Sequence, residues 1–101
     1  MLNRLLGKSH RVITNLEENN ELTVTELMKK IRLTDKETIT TYNSVLENVK
    51  IFEKFGFVKT RRVSRFCYVS LTKKGIELKK YIMKIKRMVE QNEPVEENSR
   101  V

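Results

Sequence analysis

At 101 residues the chain is sized for one domain with a modest core. Its formal net charge is +8, and its apolar fraction is built largely from Val, Leu and Ile, with no Ala. Short apolar runs exclude a membrane-spanning helix. One Cys excludes an internal disulfide framework, and the first residues lack the long apolar stretch of a secretory signal, so the expected setting is intracellular, in the cytoplasm.

The charge is uneven. The last twelve residues, "EQNEPVEENSRV", hold four Glu and one Arg, which leaves +11 on residues 1–89. A body this basic suits a polyanion.

Residues 2–17 place Leu2, Leu5, Leu6, Val12, Ile13 and Leu16 at helical spacing, with Asn3, Arg4, Lys8 and Arg11 between them. This predicts an amphipathic first helix ended by "EENN", where Asn19 or Asn20 can adopt a left-handed conformation. "ELTV" can add a short extended segment. Thr23 or Thr25 can cap a second helix carrying Leu27, Met28 and Ile31. A third helix follows, with candidate caps at Thr34 or Asp35 and at Thr40 or Thr41. Its inward stripe is Ile39, Tyr42, Val45, Leu46, Val49, Phe52 and Phe55, and Gly56 is the stop.

The period then changes from 3.6 to 2. Val58, Thr60 and Arg62 alternate with Phe57, Lys59 and Arg61, and Cys67, Val69 and Leu71 alternate with Phe66, Tyr68 and Ser70. This is a hairpin with its tip at Val63–Arg65. Thr72 can cap a last helix of about residues 72–91. Pro94 lies past its end, in an acidic tail, 92–101, expected to be disordered. The domain is therefore expected over residues 1–91. Its class is mainly α with a small β-hairpin (α+β), in the order α-(β)-α-α-β-β-α.

Three stretches carry a family resemblance over about residues 10–90: "TVTELMKKIRL", "YNSVLENVKIFEKFGFV" and "YVSLTKKGIEL". Together they resemble a winged helix–turn–helix DNA-binding protein, similar to MarR-type and PadR-type repressors and to small winged-helix regulators of archaea and archaeal viruses. One departure stands out. The span from Thr25 to Gly56 exceeds a compact helix–turn–helix by about two helical turns, so either the third helix is long or "TDKETI" makes its own turn.

The resemblance implies double-stranded DNA as partner and a transcription regulator, a repressor in type. The third helix would enter the major groove through Lys36, Thr40, Thr41, Asn43 and Ser44, with Glu47 on the same exposed face. Asn can bond adenine bidentately. No Arg lies between Lys36 and Lys50, which leaves guanine readout by this helix without its usual donor. Lys59, Arg61, Arg62 and Arg65 would form a basic wing on the backbone or in the minor groove. Lys73 and Lys74, in the first turn of the last helix, oppose its dipole and read as solvent-facing or phosphate-contacting.

On the last helix, Leu71, Leu78, Ile82, Ile85 and Val89 follow a short heptad seam, and Ile76, Met83 and Met88 widen it. With the apolar start of the first helix, this predicts a homodimer through Leu2, Leu5, Leu78, Ile82, Ile85 and Val89.

His10 reads as a partly exposed helix residue and Cys67 as a buried wing residue. One His and one Cys make no metal site of ordinary ligand count, and no phosphate loop or nucleophile–base set is present. The expectation is a non-enzyme without cofactor or metal. Two other readings fit the same residues: an architectural, chromatin-type DNA protein of low sequence specificity, and a winged-helix protein-interaction module.

Overall fold

The computed structural model describes residue 7, residues 9–35 and residues 40–91. Within these, helix α1 (His10–Thr14) leads to strand β1 (Leu22–Thr23), helices α2 (Val24–Thr34) and α3 (Tyr42–Lys54), strands β2 (Val58–Val63) and β3 (Phe66–Leu71), and helix α4 (Lys73–Gln91). The three strands form one antiparallel sheet in the order β1-β3-β2. Leu22 pairs with Val69, and the hairpin register runs from Val58–Leu71 to Val63–Phe66.

Local chemistry sets the boundaries. Thr23 caps α2 in a reciprocal box: its hydroxyl accepts from the Glu26 N–H at 3.1 Å, and its own N–H donates to the Glu26 carboxylate at 2.9 Å. Thr41 and Ser44 build the same device at the start of α3. Gly56 takes φ 82°, which a residue without Cβ adopts freely, and turns the chain into β2. The first helix ends earlier than its pattern. It stops at Thr14, where Asn15 caps it: the Asn15 backbone N–H at 3.1 Å and its side-chain amide at 2.8 Å both donate to the Arg11 carbonyl. Asn19 does take the left-handed conformation, at φ 62°, but in the turn before β1 rather than as a helix cap.

The α3–β2 corner and the start of α4 are held to one point. The Thr72 N–H donates to the Phe57 carbonyl at 3.1 Å, and the Thr72 hydroxyl both donates to the Gly56 carbonyl and accepts from the Gly75 N–H. Gly75 packs so closely here that a Cβ on it would lie 1.8 Å from the Phe57 carbonyl oxygen.

The core gathers Val12, Ile13 and Leu16 with Leu27 and Ile31 of α2, Val45 and Val49 of α3, and Val58, Cys67, Val69 and Leu71 of the sheet. Ile82 of α4 closes it. Four placements differ from the pattern. Arg11, read as polar and outward, is buried, because Asp35 and Thr40 satisfy its guanidinium. His10, read as partly exposed, is 6% exposed, with Nδ1–H donating to the Gly7 carbonyl. Tyr42, read as inward, is exposed at the first position of α3. Phe55, also read as inward, is exposed at the C-terminal end of α3. Residues 1–6, Lys36, Ile39 and the acidic tail 92–101 lie outside the described residues.

Two outcomes follow. Helix propensity alone would make Gly75→Ala favourable by about 1 kcal/mol. The carbonyl contact reverses the sign, with an expected loss of about 1–3 kcal/mol, read as a melting temperature lower by about 4–8 °C for each kcal/mol. Burial, with help from Arg11 and Lys86, lowers the His10 pKa from its ordinary value, against the opposing pull of the Gly7 carbonyl and Asp35. Above about pH 6.5 the imidazole is neutral in both folded and unfolded states. Below it, the unfolded imidazole takes the proton that the folded one resists, so stability falls with pH. Denaturant melts between about pH 7 and 5 should show that decline, and His10→Gln should flatten it.

Candidate nucleic-acid interface

The start of α3 is fixed from behind by a buried polar node. Arg11 Nη1 donates to Asp35 Oδ2 at 3.1 Å and to Thr40 Oγ1 at 3.2 Å, so one guanidinium ties the residue after α2 to a residue just before α3. Arg32 Nε donates to the Thr40 carbonyl at 3.0 Å. Thr40 is 2% exposed and cannot reach a groove, a correction to its expected place among the base-facing residues. Its hydroxyl and carbonyl are spent on orienting the helix.

Thr41 and Ser44 are exposed, but they serve the cap. The Ser44 N–H donates to Thr41 Oγ1 at 3.1 Å, and Ser44 Oγ donates back to the Thr41 carbonyl at 2.9 Å. Asn43 is exposed in the first turn and has no side-chain partner among the described residues. Spacings of four, three and four carry its face down the helix through Glu47, Lys50 and Lys54, all exposed. The two lysines were not among the candidate residues of the sequence reading. The signal was available, since they lie opposite the Val45–Val49 stripe. Lys36 lies outside the described residues.

The wing splits its charges by strand parity. Val58, Thr60 and Arg62 share a face with Leu71, Val69 and Cys67, the face that meets the helices. Arg62 is paired with Cys67, the last core residue on that face, and is exposed. Lys59, Arg61 and Val63 share the opposite face with Ser70, Tyr68 and Phe66. Arg61 is not free for a ligand there. Its Nη2 and Nε donate to the Glu21 carboxylate at 2.7 and 3.1 Å, and its guanidinium lies 4.8 Å from the Tyr68 ring centre. Those hydrogen bonds hold the Glu21 carboxyl below the usual carboxylate range. Of the four residues expected to form the basic wing, Arg61 is thus already engaged by a carboxylate of this chain. Arg65 stands in the two-residue turn after Ser64, whose φ is 57°, and lies 6.0 Å from the Phe66 ring centre. Neither Arg62 nor Arg65 has an ion pair among the described residues. Cys67 is buried, as its pattern indicated.

Lys74 is exposed, in line with the solvent-facing reading, and it also has a partner within the fold. Its Nζ donates to the Phe55 carbonyl at 2.8 Å and sits 4.7 Å from the Phe57 ring centre, placing a cation on the C-terminus of α3, where the helix dipole favours it.

On α4, Ile82 is 6% exposed and belongs to this chain's own core, a correction to its expected place at a dimer interface. Leu78 packs against the same core, while Ile85 and Val89 are half-buried. Tyr81 and Met88 are exposed. Leu2 and Leu5 lie outside the described residues. A groove of about 320 Å³ beside α4 is lined by Leu71, Ile76, Met83, Lys79, Lys80 and Arg87, together with Glu17 and Glu18.

Among the described residues no His, Cys, Asp and Glu group could hold a metal ion, and no helix is long and apolar enough to cross a membrane. No protein-family model and no curated protein matches the chain. Solved structures do. A transcriptional regulator from Clostridium thermocellum superposes with a TM-score of 0.71 at 20% identity, over 88% of this chain and 89% of that one. A MarR family transcriptional regulator from Silicibacter pomeroyi gives 0.67 at 22% identity, over 89% of this chain and 62% of that one. F-93 of SSV1 gives 0.59 at 25% identity, over 79% and 90%. These likenesses agree with the order of elements, the capped third helix, the hairpin that follows it and the closing helix: the chain has the winged helix–turn–helix fold.

Proposed function

We propose that this chain is a double-stranded DNA-binding transcription regulator that acts inside the cell, represses in type and binds as a homodimer. The observation that carries the reading is the unneutralised positive charge of Arg62 and Arg65 on the helix side and tip of a hairpin that follows α3 directly. Asn43, Glu47 and Lys50 line the exposed face of that helix. Asn43 suits adenine and Lys50 suits guanine or phosphate, while Glu47 can accept from cytosine. Lys59 and Arg61, on the other face of the hairpin, add to the field around the duplex more than to contacts. Thr41 and Ser44 contribute through the cap that aims the helix, and through backbone N–H groups at its start. The resemblance of the fold to transcriptional regulators supports the class of partner.

The dimer reading rests on the part of α4 that folding leaves uncovered: more than half of Tyr81 and Met88, and a smaller part of Ile85 and Val89. Two copies joined there would address half-sites about one helical turn apart on a pseudo-palindrome. A second reading, an architectural DNA protein, is favoured by one feature. The exposed residues of α3 include no Arg and two Glu, Glu47 and Glu53, which lowers its capacity for bidentate base contacts. Selection of bound duplexes from a random pool separates the two. A recovered short palindrome supports the regulator. A ratio of specific to random-sequence affinity near one supports the architectural protein and sinks the regulator.

The two kinds of wing arginine should behave differently. Replacing Arg62 and Arg65 together with Ala should weaken duplex binding and flatten the slope of log affinity against log salt by about one for each residue removed. An unchanged slope would sink the wing assignment. Glu21→Gln should act in the opposite sense, because it releases Arg61. Affinity at low salt rises and the slope steepens by up to about one, measured by fluorescence anisotropy on a labelled duplex.

A further inference from the structure

The last cross-strand pair of the hairpin is apolar. Val63 faces Phe66 directly before the two-residue turn, and the two are 43% and 49% exposed. Folding does not cover them. The core ends at Cys67, one position nearer the body of the molecule and on the other face of the sheet. An apolar pair at the end of a projecting hairpin is the residue choice that natural edge strands avoid, since it invites association. Here it is bracketed by charge, with Arg62 before Val63 and Arg65 in the turn.

That bracketing narrows the occupant. Four cations stand on the hairpin, and Glu21 engages only Arg61 of them. An apolar protein surface would have to bury the others without partners, at a heavy desolvation cost. A polyanion that offers an apolar slot between rows of negative charge fits both features at once. Duplex DNA is such a partner: its stacked base pairs present an apolar gap when a step is opened, and its phosphates flank the minor groove on both sides.

We propose that Val63 and Phe66 form a wedge that enters the minor groove at one base step, with Arg62 and Arg65 on the flanking phosphates, so that binding bends the duplex. This rests on the DNA-binding reading above and adds to it a mode of sequence preference. A wedge unstacks a step, and the cost is least at pyrimidine–purine steps such as TA and CA. The wing therefore selects sequence through deformability at a position where it makes no base-edge hydrogen bond. The Arg61–Tyr68 stack held by Glu21 stiffens the hairpin behind the wedge.

The test uses the full chain and a duplex of about 25 base pairs labelled at both ends, with binding followed by anisotropy and bending by energy transfer. Wild-type protein should bend the duplex by an angle in the range of about 20–90° and prefer a TA step under the wing over the same site without one. Phe66→Thr, which keeps strand propensity, should lose at least half of the bend and the step preference, while the salt slope stays the same because no charge is removed. Phe66→Leu should restore most of the bend, which separates a wedge from a merely structural ring. Arg65→Ala should lower the slope and leave the step preference. Wild-type binding without a bend overturns the wedge and leaves the DNA reading intact, as does a Phe66→Thr bend equal to wild type. Absence of duplex binding by the wild-type protein overturns both.

Discussion

The close approach of Gly75 to the Phe57 carbonyl is the constraint from which the working parts take their positions. A carbonyl oxygen occupies the space where any other residue would carry its Cβ, so the start of α4 lies directly on the corner where α3 becomes β2. Thr72 completes the joint by bonding to both residues of that corner while capping the helix that begins after it. Lys74 adds a cation to the end of α3 from the same first turn. Helix α3, the hairpin and α4 thus meet within one short span of chain. The direction in which the wing projects is set at its root, and Thr60, donating to Glu53 at 2.7 Å, fastens the first strand to the last turn of α3.

A second joint lies at the other end of α3 and is made of different material. Arg11, Asp35 and Thr40 are a polar cluster where packing alone would call for apolar residues. A buried ion pair adds little net stability over a well-packed apolar substitute, but it fixes geometry sharply, because each misplacement strands a charge. The cluster spans the connection between α2 and α3. It therefore ties both ends of that connection, Asp35 and Thr40, to Arg11 of α1. One end of α3 is held by steric contact and backbone bonds, and the other by a guanidinium. The helix that faces solvent with Asn43, Glu47 and Lys50 is left little freedom to rotate.

The sequence made the order of elements readable for a physical reason: apolar periodicity and caps are local. The switch of period at Gly56, the box at Thr23 and the cap at Thr72 each depend on residues a few positions apart, and each is present in the fold. What could not be read was pairing across distance. Arg11 lies 24 residues from Asp35 and 29 from Thr40. Arg61 lies 40 residues from Glu21. In each case an isolated polar residue looked solvated, or looked available to a ligand, until topology brought its partner. Gly75 carried no local mark either, since a glycine in the first turn of a helix is unremarkable until the neighbouring strand is in place. The placement of α4's apolar residues was ambiguous on the same ground. A heptad seam does not say which of its positions face the chain's own core, and Ile82 faces inward.

The hairpin also shows why net charge is a poor count of contacts. Six basic residues and no acidic one lie between Gly56 and Gly75, and a sequence reading treats them as one patch. In the fold they perform separate tasks. Arg61 joins β1 to β2 across β3, through Glu21 and the Tyr68 ring, and so belongs to the sheet. Lys74 closes a helix end. Lys59 shares the Arg61 face. Only Arg62 and Arg65 combine exposure, a position at or beyond the edge of the core, and freedom from any carboxylate among the described residues. On the function proposed above, a polyanion would feel the summed field of all six at a distance and would contact the hairpin chiefly through Arg62 and Arg65.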